Sequence, residues 1–213
     1  MEAGTRIYGG VSAEDRRSRR REQLLDAGLE LLGTAGWSGT TMTAVCSRAG
    51  LTERYFYESF ADREALLLAV FDRITKEAAD SILAAIKASP ADARARSGAA
   101  IGAFIELMTD DPRKGRVAFV EAMGSEALMR RRYETIQTFA ALLGDQARDF
   151  YGMTTDGDQL VELTSFLLVG GLAEALMAWL GGGLKTSRDQ LIEDCTDLFV
   201  ATGEAAVAIA RKR

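Results

Sequence analysis

Histidine is absent from this chain of 213 residues. That removes the commonest metal ligand and the commonest general base together. Cysteine is scarce: Cys46 and Cys195 stand far apart with no C-x-x-C. A disulfide framework is not indicated, and a reducing cytoplasmic setting fits. Alternating strand patterns rich in β-branched residues are missing, while Ala, Leu, Glu and Arg dominate. The chain therefore reads as all-α. No G-x-S-x-G, P-loop or metal-ligand cluster occurs, so neither a cofactor nor a metal is implied. An all-α enzyme would have to rely on carboxylates such as Glu106, Glu121 and Glu174, whose spacing gives no reason to expect a catalytic pair. No apolar segment opens the N-terminus, so no signal peptide is expected.

An overall basic excess is also lacking, since 26 Lys+Arg face 31 Asp+Glu for a net charge of −5. The distribution says more. Residues 1–63 carry nine basic and nine acidic side chains, so the acid excess lies wholly in the rest of the chain. A neutral first part can approach phosphate more easily, and the acidic remainder helps orient it. The length allows a small module plus a larger domain, with roughly 70% of the unfolded surface buried.

One long apolar run, residues 163–184, is broken only by Glu174. It is long enough to span a bilayer, but a carboxylate in mid-segment is costly there and no close Lys/Arg cluster flanks it. A buried helix, and no membrane, is the expectation.

The pattern predicts a helix over 13–34, ended by Gly33, Ala35 and Gly36. A short helix over 42–49 follows, with Thr41 as N-cap and Gly50 as the turn. A third runs from Thr52, as cap, through about 60, and a longer one over 63–88 is capped by Asp62. Further helices are expected over 91–108, over 113–150 with a divide at Gly124-Ser125, over 158–180 and over 187–209. Asp110-Asp111-Pro112 reads as a stop, a cap and a first helical position.

Residues 41–60 carry the functional signal. Two helices of about eight residues are marginal alone and persist only when packed on a scaffold. Separated by one glycine turn, they match helix-turn-helix geometry, in which the second helix enters the DNA major groove. Phe56 and Phe60 are four apart and share the face that packs on the scaffold. Thr52, Glu53, Arg54, Tyr55 and Tyr57 are left for the duplex. Arg54 can meet a guanine edge bidentately, Tyr55 a thymine methyl or backbone oxygen, and Tyr57 a phosphate. Thr41 and Thr43 open the second helix, where backbone N–H groups favour phosphate. Arg48 and Arg63 add flanking charge. Arg16, Arg17, Arg19, Arg20 and Arg21 form a basic arm suited to the DNA backbone or minor groove. The same residues also suit a blander account: aromatics as core and arginines as a solvated helix end.

The run L-L-D-A-G-L-E-L-L, then A-G-W, T-T-M-T-A-V, A-G-L-T, Y-F-Y-E-S-F and D-R-E-A-L-L resembles, in this order and spacing, the N-terminal domain of the TetR family of repressors. The resemblance spans residues 25–71. It implies phosphate contacts at Thr41 and Tyr57, and at Arg63 where the family usually has Lys. It implies base reading by Thr52, Glu53, Arg54 and Tyr55. Cys46 and Gly28 replace alanines usual in the family, and Arg54-Tyr55 replaces small residues, which leaves the operator sequence open.

The resemblance further implies a ligand pocket among the middle helices and a homodimer through the last two. The small and apolar residues over 164–180 form more apolar faces than one chain needs, which suits a four-helix bundle between two chains. Candidate pocket residues are Phe104, Met108, Phe119, Met123, Phe139, Phe166 and Met177, each of which also suits ordinary core. Glu121 interrupts an apolar run and could meet a ligand cation or hydroxyl. The expected organisation is a basic arm and helix start over 1–21, a helix-turn-helix domain over 22–66, and a ligand-binding and dimerisation domain over 67–213. The expected function is a ligand-responsive repressor of operator DNA. The alternatives are an activator, a regulator without effector, an enzyme and a basic membrane-surface protein.

Overall fold

The computed structural model describes residues 12–121, 125–152 and 158–212. They are helical, with no strand among the described residues. The chain divides into two compact units between Asp72 and Arg73.

The first unit opens with α1, Ala13–Gly39, whose N-terminus is closed by a reciprocal pair. The Ser12 hydroxyl accepts from the Asp15 N–H, and the Asp15 carboxylate accepts from the Ser12 N–H. Such a capping box satisfies two donors that the helix itself cannot. The helix was expected to stop near Thr34. It continues regularly to Gly36, where φ of 71° breaks the geometry, and a further turn reaches Gly39. Only glycine takes that backbone angle freely, so the helix bends there instead of ending. The buried hydroxyl of Thr40 donates to the Gly36 carbonyl at 2.7 Å and secures the bend.

Next come α2, Met42–Ala49, and α3, Glu53–Tyr57. Thr41 caps α2 as expected, accepting from the Ala44 N–H at 3.1 Å. Gly50 ends α2 in the left-handed region, at φ 65°. Two sequence expectations for α3 need correction. Thr52 has the extended backbone of an N-cap but makes no side-chain capping bond. Its carbonyl accepts from the N–H groups of Tyr55 and Phe56, so the first turn is tight and the Tyr55 N–H, which a capping hydroxyl could have taken, is met by backbone. The helix also closes at Tyr57, not near Phe60. The N–H groups of Ser59 and Phe60 both converge on the Phe56 carbonyl, and this narrow turn leads to Asp62. There the Asp62 carboxylate accepts from Ala65 N–H at 2.8 Å to open α4, Arg63–Ala88.

The core of this unit is Leu24, Leu25, Leu29 and Leu32 of α1 with Val45, Phe56, Phe60, Leu66, Leu67 and Val70. Gly28 explains itself here. A Cβ at that position would stand 3.0 Å from Val70 Cγ2 and 3.3 Å from Leu66, so α4 crowds α1 where alanine is usual.

In the second unit α5, Ala93–Asp110, begins later than expected because Asp92 is the cap, accepting from the Ala95 N–H. Asp111 caps the short α6, Pro112–Gly115, and also takes two bonds from the Arg113 guanidinium. Those bonds hold its carboxyl below the usual range, outweighing burial. A π-helical turn, Arg116–Val120, follows. Ser125 then caps α7, Glu126–Tyr151, at the expected divide. Next come α8, Asp158–Leu180, and α9, Arg188–Ala210. α7 packs along α8, and α5 along α9.

Phe56 is 0% exposed, whereas its neighbour Tyr57 is 59% exposed. Phe56→Ala should therefore cost about 3–5 kcal/mol of stability, while Tyr57→Ala should stay within about 0.5 kcal/mol of the parent. Urea denaturation of the two variants measures this contrast, and equal losses would contradict the orientation of α3.

Candidate nucleic-acid interface

The site is built on three helix starts and ends. Phe56 of α3 is buried, Arg54 stands on the opposite side, and Glu53 and Tyr57 are also exposed. Thr52, Glu53, Arg54 and Tyr57 are all exposed, and Tyr55 is half-buried. Thr41 and Thr43 are exposed at the start of α2. Cys46, where alanine was expected, is buried, and its thiol is pushed up by burial first and by the Glu53 charge second. It fills core space as a small apolar group, since a protonated buried thiol is inert.

The arginines are held in specific ways. Arg54 donates from Nε to Glu58 Oε1 at 3.2 Å. Arg20 lies over the Tyr55 ring, 4.3 Å from its centroid, and its Nη2 is 3.4 Å from Glu58 Oε2. Arg17 donates from Nη2 to the Glu58 carbonyl at 2.7 Å, closing the C-terminal end of α3. Arg48 pairs with Glu30 at 2.5 Å. The N-terminal arginines are thus tied to α3, which the composition of the arm alone did not reveal.

Arg63 stands differently. Its guanidinium lies 3.7 Å from the Trp37 ring centroid, and Nη1 donates to the carbonyls of Trp37 and Thr40. It braces the corner between α1 and α2, the corner from which Thr41 and Thr43 project. Glu58 is the residue that sequence reasoning missed. The signal was present, since Arg54 and Glu58 are four apart and face each other on any helical turn.

The candidate effector residues scatter more. Met108 and Phe119 are buried, and Phe104 meets Phe119 edge-on at 6.5 Å between centroids. Phe139 and Met177 are half-buried, while Phe166 is exposed and packs edge-on against Tyr133. Met123 lies outside the described residues. Glu121 is paired with Arg116 at 3.1 Å, and its N–H donates to the Arg116 carbonyl. A π-helical turn brings residues five apart together, so it creates this ion pair.

Comparisons with known proteins bear on the domain and the fold. Residues 24–70 match the family described as bacterial regulatory proteins, tetR family. The HTH-type transcriptional activator FasR of Mycolicibacterium smegmatis is 30% identical over 103 residues, covering 48% of this chain. The chain matches only about half of that activator's length, 47%. An HTH-type transcriptional regulator of Mycobacterium tuberculosis is 25% identical over 181 residues, covering 84% of this chain and 75% of the relative. Among solved structures, FadR from Bacillus subtilis in complex with stearoyl-CoA superposes with a TM-score of 0.70 at 18% identity, covering 85% of this chain and 98% of that one. At that identity the likeness speaks for the fold. Residues 24–70 therefore look like the DNA-binding domain of the family described as bacterial regulatory proteins, tetR family.

Proposed function

We propose that this chain is a homodimeric transcriptional repressor that reads operator DNA with α3 and leaves it when a small molecule binds the second unit. The observation that carries this reading is the two-sidedness of α3. Phe56 is sunk in the core while Thr52, Glu53, Arg54 and Tyr57 are exposed together. Arg54 and Tyr55 are then the base readers, with Thr52 and Glu53 beside them. Thr41, Thr43 and Tyr57 meet phosphates, where helix starts and a phenol hydroxyl supply donors. Arg20 adds charge to the backbone contact. Arg63 braces the α1–α2 corner through Nη1, and its remaining N–H groups are the ones that would meet a phosphate.

Dimerisation is supported by apolar surface on the last two helices. Leu163, Leu167 and Leu198 are more than half exposed, at 56%, 61% and 63%, and Phe166 is exposed beside them. By length and composition α8 would also pass as a membrane span. Its Glu174 instead pairs with Arg132 of α7, as in a helix packed against protein. A second copy covers such a face, and two α3 helices then read a near-palindromic site. The work is done where the DNA is, in the cytoplasm.

For the effector, Phe104, Met108, Phe119, Phe139 and Met177 supply apolar side chains, and the structural neighbour FadR was solved in complex with stearoyl-CoA, which supports an acyl-like ligand. An apolar small molecule is the class we favour. Release requires only that the ligand prefer one arrangement, with a coupling on the order of 1–3 kcal/mol. A second reading, transcriptional activation, has one specific support: the relative FasR is named an activator.

The protein should retard the DNA flanking its own gene in a gel, with affinity falling steeply as salt rises. Arg54→Ala should relax sequence preference by about 1–3 kcal/mol at the position it reads, whereas Tyr57→Phe should weaken binding to every duplex alike. Fluorescence anisotropy against matched and mismatched duplexes separates the two, and wild-type behaviour of both would remove α3 from the interface. Leu167→Glu combined with Leu198→Glu should halve the mass seen by analytical ultracentrifugation, and an undiminished dimer would place the interface elsewhere.

A further inference from the structure

We propose that Glu58 is a positioning residue for base recognition: its carboxylate brackets Arg54 and Arg20 and so sets which edge of Arg54 faces the duplex. This rests on the reading of α3 given above. One carboxylate oxygen takes Arg54 Nε at 3.2 Å, and the other stands 3.4 Å from Arg20 Nη2. The main-chain carbonyl of the same residue takes Arg17 Nη2 at 2.7 Å. One residue therefore gathers three arginines from two helices onto the end of α3. Arg20 is also stacked over the Tyr55 ring, so both base-reading side chains, Arg54 and Tyr55, touch this cluster.

Stability does not account for the arrangement. Exposed ion pairs of this kind contribute little to folding, and the Arg54 side chain is 83% exposed. What the bracket removes is rotamer freedom. A free arginine must lose that freedom on meeting a base, and an arginine already held loses less. Geometry adds specificity. Glu58 engages Nε and leaves the terminal Nη1 and Nη2 groups as the edge for the O6 and N7 acceptors of guanine. Glu58 also carries a negative charge close to where phosphates would lie, so it weakens attraction to DNA of any sequence. The two effects have opposite signs. Glu58 lowers general affinity and raises discrimination.

The test uses the full-length protein and a duplex that it selects from a randomised pool, with single-base-pair variants and a scrambled duplex as competitors. Glu58→Ala should bind the scrambled duplex more tightly, on the order of threefold. It should discriminate the selected duplex from its best mismatch roughly tenfold less well. Glu58→Gln keeps an acceptor for Arg54 Nε without the charge. It should share the gain on scrambled DNA and recover part of the discrimination. Adding Glu58→Ala to Arg54→Ala should reduce discrimination no further. A variant that merely misfolds cannot gain affinity for the scrambled duplex. If Arg54→Ala relaxes preference while Glu58→Ala does not, or if the two effects are additive, Glu58 does not position Arg54. If Arg54→Ala itself leaves preference intact, the reading of α3 fails instead.

Discussion

The first unit depends on the burial of one side chain, Phe56. A helix of five residues has almost no stability of its own, since the cost of nucleation is spread over too few hydrogen bonds. α3 persists because Phe56 is closed off from water beside Phe60 and the leucines of α1. Once that ring is fixed, the rest of α3 has no rotational freedom left. Arg54 and Tyr57 point outward because they share its turn, and Thr52 and Glu53 are exposed at the open start of the helix. Recognition surface and core are thus two faces of a single constraint. An error in seating Phe56 would misplace each of the outward groups.

Much of this was legible in the sequence because it is local. Thr41 and Asp62 were readable as caps, and each accepts a bond from the first turn of its helix. α2 and α8 have the bounds that periodicity and composition predicted. The places where the reading slipped share a cause: backbone groups at a helix end found partners other than the expected ones. Thr52 stands at the N-cap of α3 as expected, but its carbonyl and not its hydroxyl takes the Tyr55 N–H. The first helix was expected to end at its glycines, but the Thr40 hydroxyl and Arg63 hold a further turn in place. Neither competitor is visible from residue type alone, because both depend on where the chain returns in space.

The same distinction separates the legible from the illegible parts of the site. The outward residues of α3 follow from periodicity. The bracket at Glu58 does not, because Arg17 and Arg20 stand about forty residues away in sequence (38 for Arg20) and meet it only when α1 and α3 are packed. Arg63 shows the converse. Its place in the motif suggested phosphate, and its packing against the Trp37 ring and the bonds from Nη1 to two carbonyls could not be read from that place. Gly28 was only an oddity until Val70 and Leu66 were seen to press on it. In the second unit the π-helical turn at Arg116–Val120 had no sequence signature, although it alone pairs Arg116 with Glu121.

The charge arrangement can be understood from these contacts. Residues 1–63 are neutral overall, yet their acidic members are not idle diluents. Glu58 and Glu30 each engage an arginine of the face that would meet DNA, and Asp15 is spent on the cap of α1. A surface of unpaired arginines would attract any duplex and search poorly for one. Pairing them in advance reduces that attraction, and the reduction is the same for every sequence. A matched site must then be recognised by geometry, through the edges that remain. On the proposed reading, that ordering explains how a DNA-reading segment can carry no net positive charge over residues 1–63.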